Sequence, residues 1–296
     1  DAAIKAGKHV FMEKPVCTDA PGFRSVMETN KLADEKNLKV VVGLQRHHEP
    51  TWIKGIQDIH DGKLGDILML RVYWNGGSAE DLGIRPQNAK DELAYQLRHW
   101  NSFRWLYGDN IVEQHVHNID IGNWAMCKDG DWTKAHPVEA NGMGARIAKA
   151  NIGDLFDHHF VEFTYADGTK MFSQANHVPG CWQLVEEFAQ GTKGKSNCRN
   201  MSVRGNNPYD QEHVDLVEAI RKDKKLNAGW YGAISTMTAI LGRMATYSGQ
   251  VVRWDDAVAN GPSELPKMIA WDAPMPSMPG EDGRYPFPVP GVYKAY

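Results

Sequence analysis

The chain has 296 residues, 42% of them hydrophobic and 24% charged, with a formal net charge of −4. That length and composition suit two domains, or one large one, around a packed core. The acidic balance and the lack of a basic tail argue against nucleic-acid binding through a general basic surface, and no apolar run approaches the ~20 residues that span a bilayer.

The chain opens with Asp1, not Met, and its first residues read as the end of a helix (Ala2 to Ala6) closed by Gly7, then a strand from His9 to Met12. An upstream segment, and any targeting sequence in it, is expected to precede this start. Pro21 to Glu35 reads as an amphipathic helix, with Phe23, Val26, Met27 and Leu32 on one face. Lys39 to Leu44 is a continuous apolar run of the kind buried on both faces of a parallel sheet. Residues 1–45 therefore read as strand–helix–strand, the closing part of a doubly wound α/β domain.

Glu49 to His60 is a further helix, with Trp52, Ile53, Ile56 and Ile59 in helical register. From Ile67 to Trp74 the pattern changes to the partial alternation of a strand with one covered face. Gly76 to Asn101 reads as a long irregular loop, and Asn110 to Ala125 as a helix. Strands follow at Val138–Ile147, Asp157–Tyr165, Thr169–His177 and Gln183–Gln190, the middle two joined by the turn Ala166-Asp167-Gly168. Helices at Tyr209–Arg221 and Tyr231–Ser248, the latter capped by Gly249, complete an α+β domain over 46–270 with a mostly antiparallel sheet. The Pro-rich tail, 271–296, is expected to lie over the surface or a partner subunit. The fold class is thus α/β plus α+β.

Two groups of residues carry chemistry. Glu13-Lys14-Pro15 directly follows the first strand, and ligands of doubly wound sheets bind outside the carboxyl ends of their strands. A lysine there can hold a hydroxyl or exchange its proton; a surface turn with a salt bridge is the bland alternative. In IVEQHVHNIDIGNW, Glu113, His117, Asp120 and Trp124 share one face of an ideal helix, while His115 points away. Carboxylate and imidazole one turn apart suit proton relay. A buried polar cluster is the alternative, and a divalent ion shared by Glu113 and His117 is a third and least favoured reading; the site is taken as metal-free.

Three other features are set aside. Ala189 to Ser196 (AQGTKGKS) fits a relaxed phosphate-loop pattern, but a poor helix former follows it and it reads as a turn. Gly142-Met143-Gly144 lacks the third glycine of a dinucleotide loop. The pairs His47-His48 and His158-His159 have no carboxylate at ligand spacing and are read as structural or exposed, and the four cysteines as free thiols.

Taken jointly and in this order, these segments resemble the Gfo/Idh/MocA family (glucose–fructose oxidoreductase, inositol dehydrogenase and relatives). Ala6 to Pro15 is similar to its AGKHVxxEKP signature, and Val42 to Pro50 to VGLQRRxxP, with His47 where arginine is frequent. Gly62 to Ile67 is similar to GKLGxI, and LGRMATYSGQVVRWDD to the family's C-terminal region. IVEQHVHNID resembles VLLDxGxHxxD, with Glu113 for the first aspartate, His115 for the glycine, His117 for the histidine and Asp120 for the second aspartate. The resemblance implies that residues 1–45 are the C-terminal remnant of a Rossmann dinucleotide-binding domain, with an upstream Gly-rich loop and NAD or NADP as cofactor, bordered by Glu13, Lys14 and Pro15. It implies Lys14, His117 and Asp120 as contacts to a sugar or polyol substrate, His117 as base and Glu113 as the orienting carboxylate. It also implies a homo-oligomer, dimer or tetramer. Two alternatives stay open: a glycoside-cleaving enzyme that recycles its NAD, and a non-catalytic protein on the same scaffold.

Overall fold

The computed structural model describes residues 1–86 and 91–296. β1 (Val10–Met12) and β2 (Val40–Val42) pair in parallel, Val10 opposite Val40, with α2 (Ala20–Glu35) crossing between them. α2 begins where Asp19 accepts a hydrogen bond from the Gly22 amide at 2.7 Å and Pro21 fills the first turn, where no amide hydrogen is needed. The short α1 (Ala2–Lys5) ahead of β1 ends at Gly7, whose φ of +72° costs a glycine little.

After a 3₁₀ turn at Gln45–His48, α3 (Pro50–His60) leads into a second sheet. Its strands are β3 (Ile67–Asn75), β4 (Glu139–Ala145), β5 (His158–Thr164), β6 (Lys170–Asn176), β7 (Leu184–Gly191), β8 (Gly194–Ser196) and β9 (Val252–Arg253). They lie in the order β8-β7-β3-β6-β5-β4-β9. β3 runs parallel to β6, and all the other neighbours are antiparallel. The β5–β6 turn is the expected one: Gly168 has φ +86° and Asp167 accepts from the Thr169 amide. Alternation then sorts the faces. His159, Val161 and Phe163 of β5 turn inward and are buried, whereas Phe160 turns outward.

Helices cover the inner face. α4 (Glu92–Arg98), α5 (Arg104–Tyr107) and α6 (Asn110–Glu113) precede α7 (Val116–Met126), and α8 (Pro208–Arg221), α9 (Gly229–Ser248) and α10 (Trp254–Asn260) follow the strands. α9 is almost wholly buried because it packs on both sheets. Ala20 and Phe23 of α2 share one apolar cluster with Met237 and Met244 of α9. The Val40 amide bonds to the Leu226 carbonyl, and the Ala228 amide to the Val40 carbonyl, so packing is continuous across residue 45.

Two expectations need correction, and one is narrowed. The stretch from Gly76 to Asn101 is not irregular throughout: α4 and a 3₁₀ turn at Trp100–Ser102 occupy its second half, and residues 87–90 lie outside the described residues. The tail lies on the chain's own surface. Met275 and Tyr285 are buried against Leu93, Phe103 and Trp105, and the Tyr285 hydroxyl donates to Glu92 at 2.5 Å. Finally, the helix expected over Asn110–Ala125 is two helices. The Gln114 and His115 amides both reach the Asn110 carbonyl, a widened turn that separates α6 from α7. The glycine-bearing AQGTKGKS stretch is the β7–β8 hairpin, as expected of a turn.

Candidate active site

The widened turn decides how the site is built. With the helix interrupted, the His117 amide bonds to Gln114, and the Glu113 carbonyl is left without a helical donor. Lys14, just past the end of β1, supplies one: its Nζ donates to that carbonyl at 2.5 Å and to Glu113 Oε1 at 2.6 Å. The two side chains are 13% and 17% exposed. This ion pair therefore joins the carboxyl edge of the parallel strands to the start of the helix pair, in largely dry surroundings. The peptide bond between Lys14 and Pro15 is cis.

His117 lies in the first turn of α7, 9% exposed, with its ring stacked near Trp74 of β3 (centroids 6.0 Å apart, planes at 24°). Its Nδ1 is buried and has no partner among the described residues. Burial first, then the positive charges of Lys14 and Arg46, hold its pKa well below the ordinary histidine value. The ring is therefore neutral at physiological pH and able to accept a proton. A buried polar atom left unpaired costs stability, so each one asks for a reason such as strain, a catalytic role, or a water or ligand that pairs it.

The other members of the expected helical face behave differently. Asp120 is 1% exposed; its Oδ2 meets His47 Nε2 at 2.7 Å and its Oδ1 accepts from the Ser235 hydroxyl at 2.8 Å. Each oxygen thus has a partner inside the protein. His47 in turn is sandwiched between Trp124 and Tyr231, its ring 4.0 and 3.9 Å from theirs. His115, where the resemblance has glycine, sends its ring under the sheet to Ser173 (2.8 Å) and Asn118 (3.3 Å). Burial pushes its pKa down to about 3, so it is neutral and fully occupied.

Carboxylates do reach the paired histidines, but from far along the chain. His48 meets Asp215 at 2.5 Å, and His159 lies 3.2 Å from Asp109. All three of His47, His48 and His159 are packed inside, so the exposed reading fails for them and the structural reading stands.

Glu13 lies over the end of β2: a Cβ on Gly43 would come within 2.1 Å of its Oε2, so only glycine leaves it this room. Two groups that sequence reasoning missed border it. On α8, Tyr209 and Asp215 pair with Gln45 and His48, and Glu212 lies one helical turn from each. Gln45 Oε1, His48 Nε2 and Glu212 Oε2 are all buried without a partner among the described residues. Burial and the neighbouring Glu13 push Glu212 up to about 7. Unpaired polar atoms at the carboxyl end of β1 and β2 suit a polar ligand such as a nicotinamide cofactor. The i, i+3, i+6 spacing of Tyr209, Glu212 and Asp215 was the available signal for this polar face.

No family model matches the chain. It is 29% identical over 129 residues to an inositol 2-dehydrogenase/D-chiro-inositol 3-dehydrogenase of Lactiplantibacillus plantarum, covering 43% of this chain and 30% of that protein. An inositol 2-dehydrogenase of Pseudomonas syringae pv. syringae is 33% identical over 115 residues, 39% of this chain and 33% of its own length. The matched stretches thus span about a third of these relatives. Among solved structures, scyllo-inositol dehydrogenase from Lactobacillus casei, determined with bound NAD(H) and scyllo-inositol, superimposes with a TM-score of 0.63 at 20% identity, over 86% of this chain and 75% of that one. The chain is similar in sequence to inositol dehydrogenases over these stretches and shares the fold of the solved one. A second member of that fold, aldose-aldose oxidoreductase from Caulobacter crescentus, gives a TM-score of 0.64 at 16% identity over 85% of this chain and 73% of its own. Among the described residues, no helix is long and apolar enough to cross a membrane.

Proposed function

We propose that this chain is a member of the Gfo/Idh/MocA family and, as the full-length protein, an NAD(P)-dependent oxidoreductase acting on a hydroxyl of a polyol or sugar, with Lys14 and His117 contacting that hydroxyl. The observation that carries the reading is the neutral, unpartnered ring of His117 beside the buried Lys14–Glu113 pair. Bound NAD(P) supplies the hydride acceptor; Glu13, Lys14 and Pro15 at the end of β1 are the residues placed to border it. Lys14 donates a hydrogen bond to the substrate oxygen and stabilises negative charge there, while Glu113 holds the ammonium in place. His117 takes the hydroxyl proton, which a neutral imidazole can do and an imidazolium cannot. Burial excludes water from both groups. The inositol dehydrogenases among the relatives support inositols as the first substrates to try.

The test uses the full-length protein with NAD or NADP and a panel of inositols and aldoses, following formation of the reduced cofactor. Turnover with a polyol supports the reading. Cleavage of a glycoside with no net reduction of cofactor would replace it by the recycling mechanism, and binding without turnover by a scaffold role.

The outer face of the large sheet supports a homo-oligomer. Met143 is 75% exposed there, Phe160 and Phe172 stack beside it, and Arg71 lies over Phe188. Such a continuous apolar stripe fits a second copy of the chain. Light scattering of the full-length protein checks this, and a monomer would refute it.

A further inference from the structure

Arg46 leaves the 3₁₀ turn after β2 and reaches across to α7. Its Nη1 donates to the His117 carbonyl at 3.1 Å and to Glu187 Oε1 at 2.5 Å, and its guanidinium lies 4.8 Å over the Trp52 ring. Asn118 also donates to Glu187. Glu187 is 1% exposed and stands on β7, an inner strand of the large sheet. Two successive residues of the first turn of α7 are thus latched to one buried carboxylate, His117 through Arg46 and Asn118 directly. A side chain from the end of the parallel sheet, a helix start and a sheet strand meet at this point.

We propose that Arg46, held by Glu187, is a positioning residue that fixes the first turn of α7 and keeps the His117 ring unprotonated until substrate offers it a proton. The inference rests on the reading of His117 as the base. The geometry gives both parts of the role. A bond to the backbone carbonyl of His117 fixes where its side chain starts, and a cation whose Nη1 is shared between that carbonyl and Glu187 opposes a second positive charge on the ring. The charged and titratable groups around His117 are few. From β1 comes Lys14, paired with Glu113 of α6; from the 3₁₀ turn Arg46; from β7 Glu187; and on α7 itself Asp120, already tied to His47. His177, at the end of β6, feels Glu113 but bonds to Gln114. Among the described residues, Lys14 and Arg46 are therefore the two cations acting on the ring, and both contribute to the downward shift of His117.

The test is a proton titration of His117 in the full-length protein labelled at histidine Cε1, with its signal assigned by loss in His117→Asn. Three forms are compared with the wild type: Arg46→Gln, Arg46→Lys, and Arg46→Gln combined with Glu187→Gln. The last leaves no buried charge unpaired and so guards against misfolding of the first. The ring of Arg46→Gln should bind a proton about tenfold more tightly than the wild-type ring, and that of the double variant more tightly by a smaller factor because a negative charge leaves with the positive one, whereas Arg46→Lys stays close to wild type. The acid limb of kcat/KM should move to higher pH by the matching factor in each Gln form. An unchanged ring titration in the double variant, or an equal shift in Arg46→Lys, overturns the proposal. The titration needs no turnover. If the ring shifts but no polyol is oxidised, the Arg46 coupling stands and the assignment of His117 as base falls.

Discussion

The two halves of the segment from Glu113 to Trp124 share one sequence pattern and have opposite fates. In its first half, Glu113 holds Lys14, and His117 is buried with its Nδ1 unpaired. In its second half, Asp120 has both oxygens taken by His47 and Ser235, and Asn123 is bonded to Tyr165, Ser235 and Thr238. Spacing on a helix cannot separate these cases. What separates them is whether the surrounding elements bring partners: β3 offers His117 only the face of an indole, whereas α9 and the 3₁₀ turn offer Asp120 a hydroxyl and an imidazole. Polar groups that are satisfied stabilise, and those left unsatisfied are available for chemistry.

Substitutions can break this contrast. Lys14→Ala or His117→Ala in the full-length protein should lower kcat by about 100-fold or more, the ordinary weight of a positioned acid–base group; turnover within a few fold of wild type would end the catalytic reading. Asp120→Asn should instead cost about 1–3 kcal/mol of stability in urea unfolding, with kcat per folded molecule unchanged. A lost kcat with undiminished stability would put Asp120 back in the site. Glu113→Gln keeps a hydrogen-bond acceptor for Lys14 but removes the charge, so kcat should fall roughly tenfold with little change in the urea midpoint.

The smallest effect at neutral pH belongs to His115. Its folded pKa of about 3 lies below the ordinary value of 6.5, so the unfolded chain takes up a proton that the folded chain refuses. Its contribution is fully present above pH 6.5 and is lost as pH falls toward 3, by up to about 1.4 kcal/mol per pH unit. His115→Asn should therefore lose less stability than wild type between about pH 7 and about pH 5. Parallel loss in the two proteins would mean that His115 carries no such linkage.

Much of the fold is local in origin and was legible in the residues. The buried Val40–Val42 run, the Asp167-Gly168 turn, the Gly249 cap and the alternation of β5 and β6 each follow from a rule that acts over a few residues. The α4 helix and the path of the tail were not, because Glu92 and Tyr285 stabilise each other across 193 positions and neither segment has a strong signal alone.

The sequence by itself determined which residue types stand at the strand end and on the helix: Lys14 after β1, then Glu113 and His117 in order. Only the tertiary structure decided which of these were still free to act. It opened the turn at Gln114–His115 so that the Glu113 carbonyl could take Lys14, and it brought His47 and Ser235 to Asp120 from 73 and 115 residues away. Arg46 reached the His117 carbonyl from 71 residues away in the same manner. Hydrogen-bond partners at such separations are set by how helices pack on a sheet, and helical periodicity carries no information about them.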